Sequence, residues 1–204
     1  MTTKNICIFG DSIAYGAWSR TGGWVDRLRT ELQQQTLDSK FQSYYFLYNL
    51  SIPGNTTEDL LKRFVAESNV RAPHIIIFAI GINDASCRDQ KEKPRVDTAT
   101  FINNVRSLFK EAKKQSKTVA CIGLSRVDEH FTTPFENTYF VNKKIGEYDV
   151  VLKNTCAEEG ILWLDISTLL GKEDLADGLH PNDQGHEKIF RAVYDFLKPT
   201  LSEK

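Results

Sequence analysis

The chain reads as an α/β protein in three layers, a parallel sheet with helices on both faces. Three observations predict it. Short apolar runs alternate with stretches whose apolar residues recur every three or four positions. The run His74 to Ile80 is apolar nearly throughout, as a strand covered on both faces must be. The 204 residues, 41% of them apolar, suit one compact unit with a sizeable core, so a single domain over 1–204 is expected.

The elements follow in order. Residues 5–9 are the first strand, and Gly10 opens the turn that carries Ser12. A helix from about Gly23 to Leu37 presents Val25, Leu28 and Leu32 on one face. Residues 44–51 form the second strand, closed by the turn signature Ser51-Ile52-Pro53-Gly54. Thr56 caps the next helix, whose Leu60, Leu61, Phe64 and Val65 are expected to face inward. The strand 74–80 comes next, then a helix marked by Phe101, Val105, Leu108 and Phe109, then a fourth strand from Lys117 to Gly123. Val141, Ile145, Tyr148 and Leu152 mark another helix, and 161–164 the fifth strand. The last helix runs from about Asp183 to Leu197, with Ile189, Val193, Phe196 and Leu197 inward.

Ligands of open α/β sheets bind at the rim formed by the carboxyl ends of the strands. Three fragments sit there, each just past an apolar run: Gly10-Asp11-Ser12-Ile13, Pro53-Gly54-Asn55 and Gly81-Ile82-Asn83-Asp84. A fourth, Asp177-Gly178-Leu179-His180-Pro181-Asn182, puts a carboxylate three residues before an imidazole where a loop gives way to the last helix. Each has a plain reading alone: Ser12 as a helix cap, Pro53-Gly54 as an ordinary turn, Asn83 as a cap bonding its own loop. As a set, in this order and at these strand ends, they resemble the SGNH (GDSL-type) hydrolases, with Ile13 where the family nickname has Leu. The match runs from Gly10 to His180.

The resemblance implies a flavodoxin-like strand order 2-1-3-4-5 and a serine esterase or acylhydrolase. Ser12 would be the nucleophile, His180 its base and Asp177 the acid that orients the base. A serine hydroxyl needs such a base, and the order Ser…Asp…His is admissible because triads are defined by geometry. The oxyanion hole would be shared by the N–H of Ser12, the N–H of Gly54 and the amide of Asn83. Asp11 is expected to hold the turn, and His74 is read as structural. His186 is expected to pack against the helix start or face solvent, and His130 to lie in a loop that borders the pocket. Asp165 and Asp174 are rival acids, but the three-residue spacing favours Asp177.

The pocket is read from two loops. Tyr15, Trp18 and Leu179, with Phe131 from the 125–137 loop that also carries Arg126, His130, Pro134 and Phe135, are expected to line it. The charged stretch 84–94, with Arg88, Asp89, Lys91, Glu92 and Lys93, reads as a solvated loop. No metal and no cofactor is expected.

With 26 basic and 27 acidic side chains the chain lacks the basic excess of nucleic-acid or anionic-membrane binders. No apolar run approaches the roughly 20 residues that span a bilayer, and residues 1–5 show no signal-peptide pattern. A cytoplasmic protein is expected, acting on a small, short-acyl ester, with a homodimer left open. Cys7, Cys87, Cys121 and Cys156 show no close pairing and read as buried small hydrophobes. Thioester, lysophospholipid or acetyl-carbohydrate substrates suit the same residues, as would acyl transfer. A binding protein of the same fold would lack Ser12, Asn83 or His180, and all are present. A phosphate-cofactor binder would need a cradle that Gly10-Asp11-Ser12 does not offer, since it has a carboxylate and no P-loop lysine.

Overall fold

A computed structural model describes residues 1–88 and 93–202. Its main sheet has five parallel strands: β1 (Thr2–Gly10), β2 (Ser43–Asn49), β3 (Ile75–Ala79), β4 (Thr118–Ile122) and β5 (Leu162–Leu164). They lie side by side as β2-β1-β3-β4-β5, the order the resemblance implies. Five long helices alternate with them: α1 (Trp24–Asp38), α2 (Thr57–Asn69), α3 (Thr98–Gln115), α4 (Asn142–Glu159) and α5 (Asp183–Ser202). Two two-residue strands, Cys87–Arg88 and Thr138–Tyr139, pair antiparallel outside the sheet.

The twofold period of the strands divides the core. Ile6, Ile8, Ile75, Ile77, Ala120 and Ile122 face α1 and α5, where Trp24, Leu28, Ile189 and Val193 meet them. Cys7, Phe9, Ile76, Phe78, Val119 and Cys121 face α2, α3 and α4, against Phe64, Phe101, Phe109 and Tyr148. Phe9 meets Phe64 edge-on at 4.8 Å between ring centroids, and Phe78 packs beside both. Each such side chain contributes about 1.5–3 kcal/mol by leaving water. That burial on both faces holds the rim rigid.

Some boundaries differ from the expectation. Helix α5 continues past Leu197 through Pro199 to Ser202. One missing N–H near a helix end costs little, and Leu201 extends the buried stripe of Val193 and Leu197. Lys4 then donates from Nζ to the terminal carbonyls of Thr200 and Leu201, at 2.6 and 3.0 Å. Val65 does not face inward: it is 40% exposed, because the stripe of Leu60 and Phe64 leaves it at the margin. All four cysteines are buried and free. Among the described residues no helix is long and apolar enough to cross a membrane.

Candidate active site

Strand β1 delivers Ser12. Asp11 caps the single helical turn Ser12–Tyr15, its carboxylate accepting the Ile13 N–H at 3.0 Å. The amide of Asn49, at the end of β2, donates to the Ala14 carbonyl at 3.0 Å and pins this turn to the sheet. Asp11 is buried, and burial, against the bond from Ile13, pushes its pKa up to about 6.

The Asp177–His180 segment is folded by its own carboxylate. One oxygen of Asp177 accepts the N–H groups of Leu179 and His180, at 3.0 and 2.8 Å, a local turn that fixes the three-residue spacing. The other lies 2.7 Å from Nδ1 of His180. Burial would raise the Asp177 pKa, but the bonds from the His180 ring and from both N–H groups outweigh it and hold it at about 2. Gly178 is obligatory between them. Its φ is +87°, and a Cβ there would come within 2.6 Å of Phe131 Cβ.

On its other side the imidazole meets the serine: Nε2 of His180 lies 2.9 Å from Ser12 Oγ. Both residues are nearly buried. Hydroxyl, imidazole and carboxylate therefore form one unbroken hydrogen-bonded chain, assembled from the two ends of the sequence.

The three expected oxyanion donors converge on the same place. Ser12, Gly54, Asn83 and His180 all line one open cleft of about 540 Å³. Gly54 has φ +78° with nothing within 4 Å of where a Cβ would sit, so its backbone stands open to the cleft. Asn83 spends one amide hydrogen on the Asn55 carbonyl at 3.1 Å, which fixes the side chain and leaves the second hydrogen free. Among the described residues the N–H groups of Ser12 and Gly54 have no protein acceptor.

Tyr15, Trp18 and Leu179 line the cleft as expected. Phe131 does not. It packs behind Gly178, beside Asp128 and Lys172, and is 58% exposed. Its place is taken by Phe135, four residues on in the same loop, whose ring meets the His180 ring edge-on at 6.0 Å. Glu136, Thr138, Phe140 and Arg95 complete that wall, and none was anticipated. Thr138 and its neighbours arrive through the pairing of Cys87–Arg88 with Thr138–Tyr139, too short to leave a periodic signal, and Arg95 through its contacts with Ser86 and Gly54. Cys87 is buried in that ribbon, away from the cleft. Of the charged 84–94 stretch, Asp89, Lys91 and Glu92 lie outside the described residues.

The rival groups have other partners. His74 accepts the Asn5 N–H at Nδ1 (3.0 Å). His186 is buried and takes the Trp24 N–H at 3.3 Å. His130 is exposed and packs on Phe131. Asp174 is paired with Lys188 at 2.6 Å, and Asp165 bonds Ser167.

The model of the GDSL-like lipase/acylhydrolase family matches residues 8–188, most of the chain. The chain belongs to that family. It is a carboxylic ester hydrolase. A curated relative in Homo sapiens, the isoamyl acetate-hydrolyzing esterase 1 homolog, is 22% identical over 218 residues, covering 97% of this chain and 82% of that protein. A lipase/acylhydrolase structure from Enterococcus faecalis superposes with a TM-score of 0.80 at 24% identity, with 98% of each chain covered. An acetylxylan esterase from Geobacillus stearothermophilus gives 0.75 at 22%, covering 98% of this chain and 95% of that one. At these identities the two structures establish the shared GDSL fold.

Proposed function

We propose that this GDSL hydrolase cleaves short-acyl esters through an acyl-enzyme on Ser12. The observation that carries the reading is the hydrogen-bonded chain Ser12 Oγ–His180 Nε2 and His180 Nδ1–Asp177 Oδ2, at 2.9 and 2.7 Å. His180 Nε2 takes the hydroxyl proton as Oγ bonds to the ester carbonyl carbon. The carbonyl oxygen gathers negative charge and is met by the N–H of Ser12, the N–H of Gly54 and the free amide hydrogen of Asn83. Collapse breaks the bond to the alcohol oxygen, which receives the proton from Nε2. Water enters, gives its proton to the same nitrogen and attacks the acyl carbon, and the proton returns to Oγ as the acid leaves. Asp177, ionised far below neutrality, holds the Nδ1–H tautomer and stabilises the imidazolium of each step.

Similarity to an isoamyl acetate-hydrolyzing esterase homolog and to an acetylxylan esterase favours acetyl-sized acyl groups. On this proposal the protein acts in the cytoplasm, as one domain, on small esters. Hydrolysis of p-nitrophenyl esters from acetyl to palmitoyl tests this reading. The acetyl or butyryl ester is expected to be the best substrate, and a clear preference for palmitoyl would refute the acyl-size assignment.

A further inference from the structure

Arg95 stands at the edge of the cleft with no carboxylate paired to it among the described residues. It lines the cleft together with Ser12, Gly54 and Asn83 and is half-buried. Among the described residues its guanidinium makes one protein hydrogen bond, a long one, from Nη1 to the Gly54 carbonyl at 3.4 Å. Arg27, Arg29, Arg63, Arg106 and Arg191 each hold a carboxylate within salt-bridge distance; Arg95, like Arg20, Arg71, Arg88 and Arg126, holds none among the described residues, and of these five it alone lines the cleft. The acids in its field are engaged elsewhere. Asp59 bonds Thr56 and Lys62, and Asp84 bonds Thr57. Glu58 shares with Arg95, Arg88 and Lys93 the adjoining groove, where the basic side chains outnumber the uncommitted acid.

We propose that Arg95 is an anion subsite of the ester cleft, and that the preferred substrates carry a carboxylate apart from the scissile bond. This rests on the acyl-enzyme reading of the same cleft. A guanidinium offers a planar fork of donors that a carboxylate meets with two parallel bonds. In a partly desolvated cleft that pair is stronger than on open surface. Burial, ahead of the like charge of Arg88, depresses the Arg95 pKa, and an anion beside the guanidinium stabilises its charged form against both. Among the described residues the cleft carries one other charged lining residue, Glu136, on the Phe135 segment. An anion held by Arg95 therefore binds beside Gly54, whose carbonyl the guanidinium already meets.

The test uses two ester pairs that differ only in charge. One is 4-acetoxybenzoate with its methyl ester, which puts the charge on the leaving group. The other is the p-nitrophenyl monoester of adipic acid with p-nitrophenyl methyl adipate, which puts it on the acyl group. In at least one pair the anionic ester is expected to have roughly tenfold or higher kcat/KM, chiefly through KM, as one charge-assisted pair provides. Arg95→Gln should cost the anionic twin far more kcat/KM than the neutral one, so that the advantage is lost, and added salt should shrink it. No advantage in either pair, or an equal loss on neutral and charged twins in Arg95→Gln, would reduce Arg95 to a support for Gly54 and overturn the proposal. Ser12→Ala assayed on the neutral twins separates this failure from failure of the acyl-enzyme reading. If no ester is turned over, calorimetric titration with benzoate decides the subsite: tighter binding to wild type than to Arg95→Gln supports it, and equal binding overturns it.

Discussion

Asp84 accepts the backbone N–H of Thr57 at both of its oxygens, 3.0 and 3.1 Å away, and the Thr57 hydroxyl as well. The carboxylate follows Asn83, and Thr57 opens the helix that follows Gly54. One buried group thus ties together the two loops whose donors face the developing oxyanion. Asn104 extends the tie, donating to the Thr57 hydroxyl at 3.0 Å. Asp84→Ala should lower kcat by roughly tenfold or more with little change in KM, because donors displaced by a fraction of an ångström lose transition-state stabilisation. Asp84→Asn keeps an acceptor and should recover part of it. Steady-state kinetics of the two variants measures this, and a loss confined to stability would show that the tie is structural alone.

Asn83 gives a direct test of the oxyanion hole. Its side chain is held by Asn55 with one hydrogen pointing free, so Asn83→Ala should reduce kcat by about 10²–10³. KM should move little, since the contact strengthens only as charge develops. A rise in KM at constant kcat would place Asn83 in ground-state binding instead.

Trp18 and Asp177 compete for one nitrogen. The indole N–H lies 3.1 Å from His180 Nδ1, and the Asp177 carboxylate lies 2.7 Å from the same atom. When Nδ1 carries a proton, as the general base requires, it has no lone pair for the indole. The observed pose of Trp18, at φ +64° and 65% exposed, therefore favours the tautomer with the proton on Nε2, which cannot accept from Ser12. Trp18→Phe keeps a ring beside His180 and removes the donor. It should raise kcat up to about fivefold, the worth of one net hydrogen bond. Unchanged or lower kcat with KM intact would mean that the indole N–H does not oppose catalysis.

Ser12, Gly54, Asn83, Asp177 and His180 were legible in the sequence because each sits beside a strand end or in a local turn, where neighbours in sequence fix the geometry. The spacing of Asp177 and His180 is set by the carboxylate bonding the two N–H groups just after it. Phe131 and Phe135 were not separable on that basis. They share a loop, and which one faces His180 depends on Phe131 filling the space that Gly178 leaves. Arg95 reaches the cleft by tertiary contact with Gly54, forty-one residues away, and no local pattern reports such a contact.

Two buried carboxylates give the fold a distinctive pH response. Burial raises Asp11 to about 6 and Asp84 to about 7, above the ordinary aspartate value of 3.8. The folded state then binds these protons more tightly than the unfolded chain. Their contribution is present in full below pH 3.8 and is lost as pH rises through 6 to 7. Asp177 acts in the opposite sense, its contribution present above 3.8 and lost as pH falls toward 2. Urea unfolding should therefore find the wild type losing stability between about pH 4 and 7, with the slope reduced in Asp84→Asn. An equal slope in both proteins would show that Asp84 is ionised throughout.

The identity of the nucleophile is tested most directly by trapping the intermediate. Rapid mixing with p-nitrophenyl acetate, acid quenching and peptide mass mapping should find the acetyl group on the peptide that carries Ser12, with a matching burst of p-nitrophenol. Ser12→Ala should show neither the label nor the burst and should lose activity by roughly 10³-fold or more. An acetyl group on another residue, or a mutant that hydrolyses the ester as fast as wild type, would contradict the assignment.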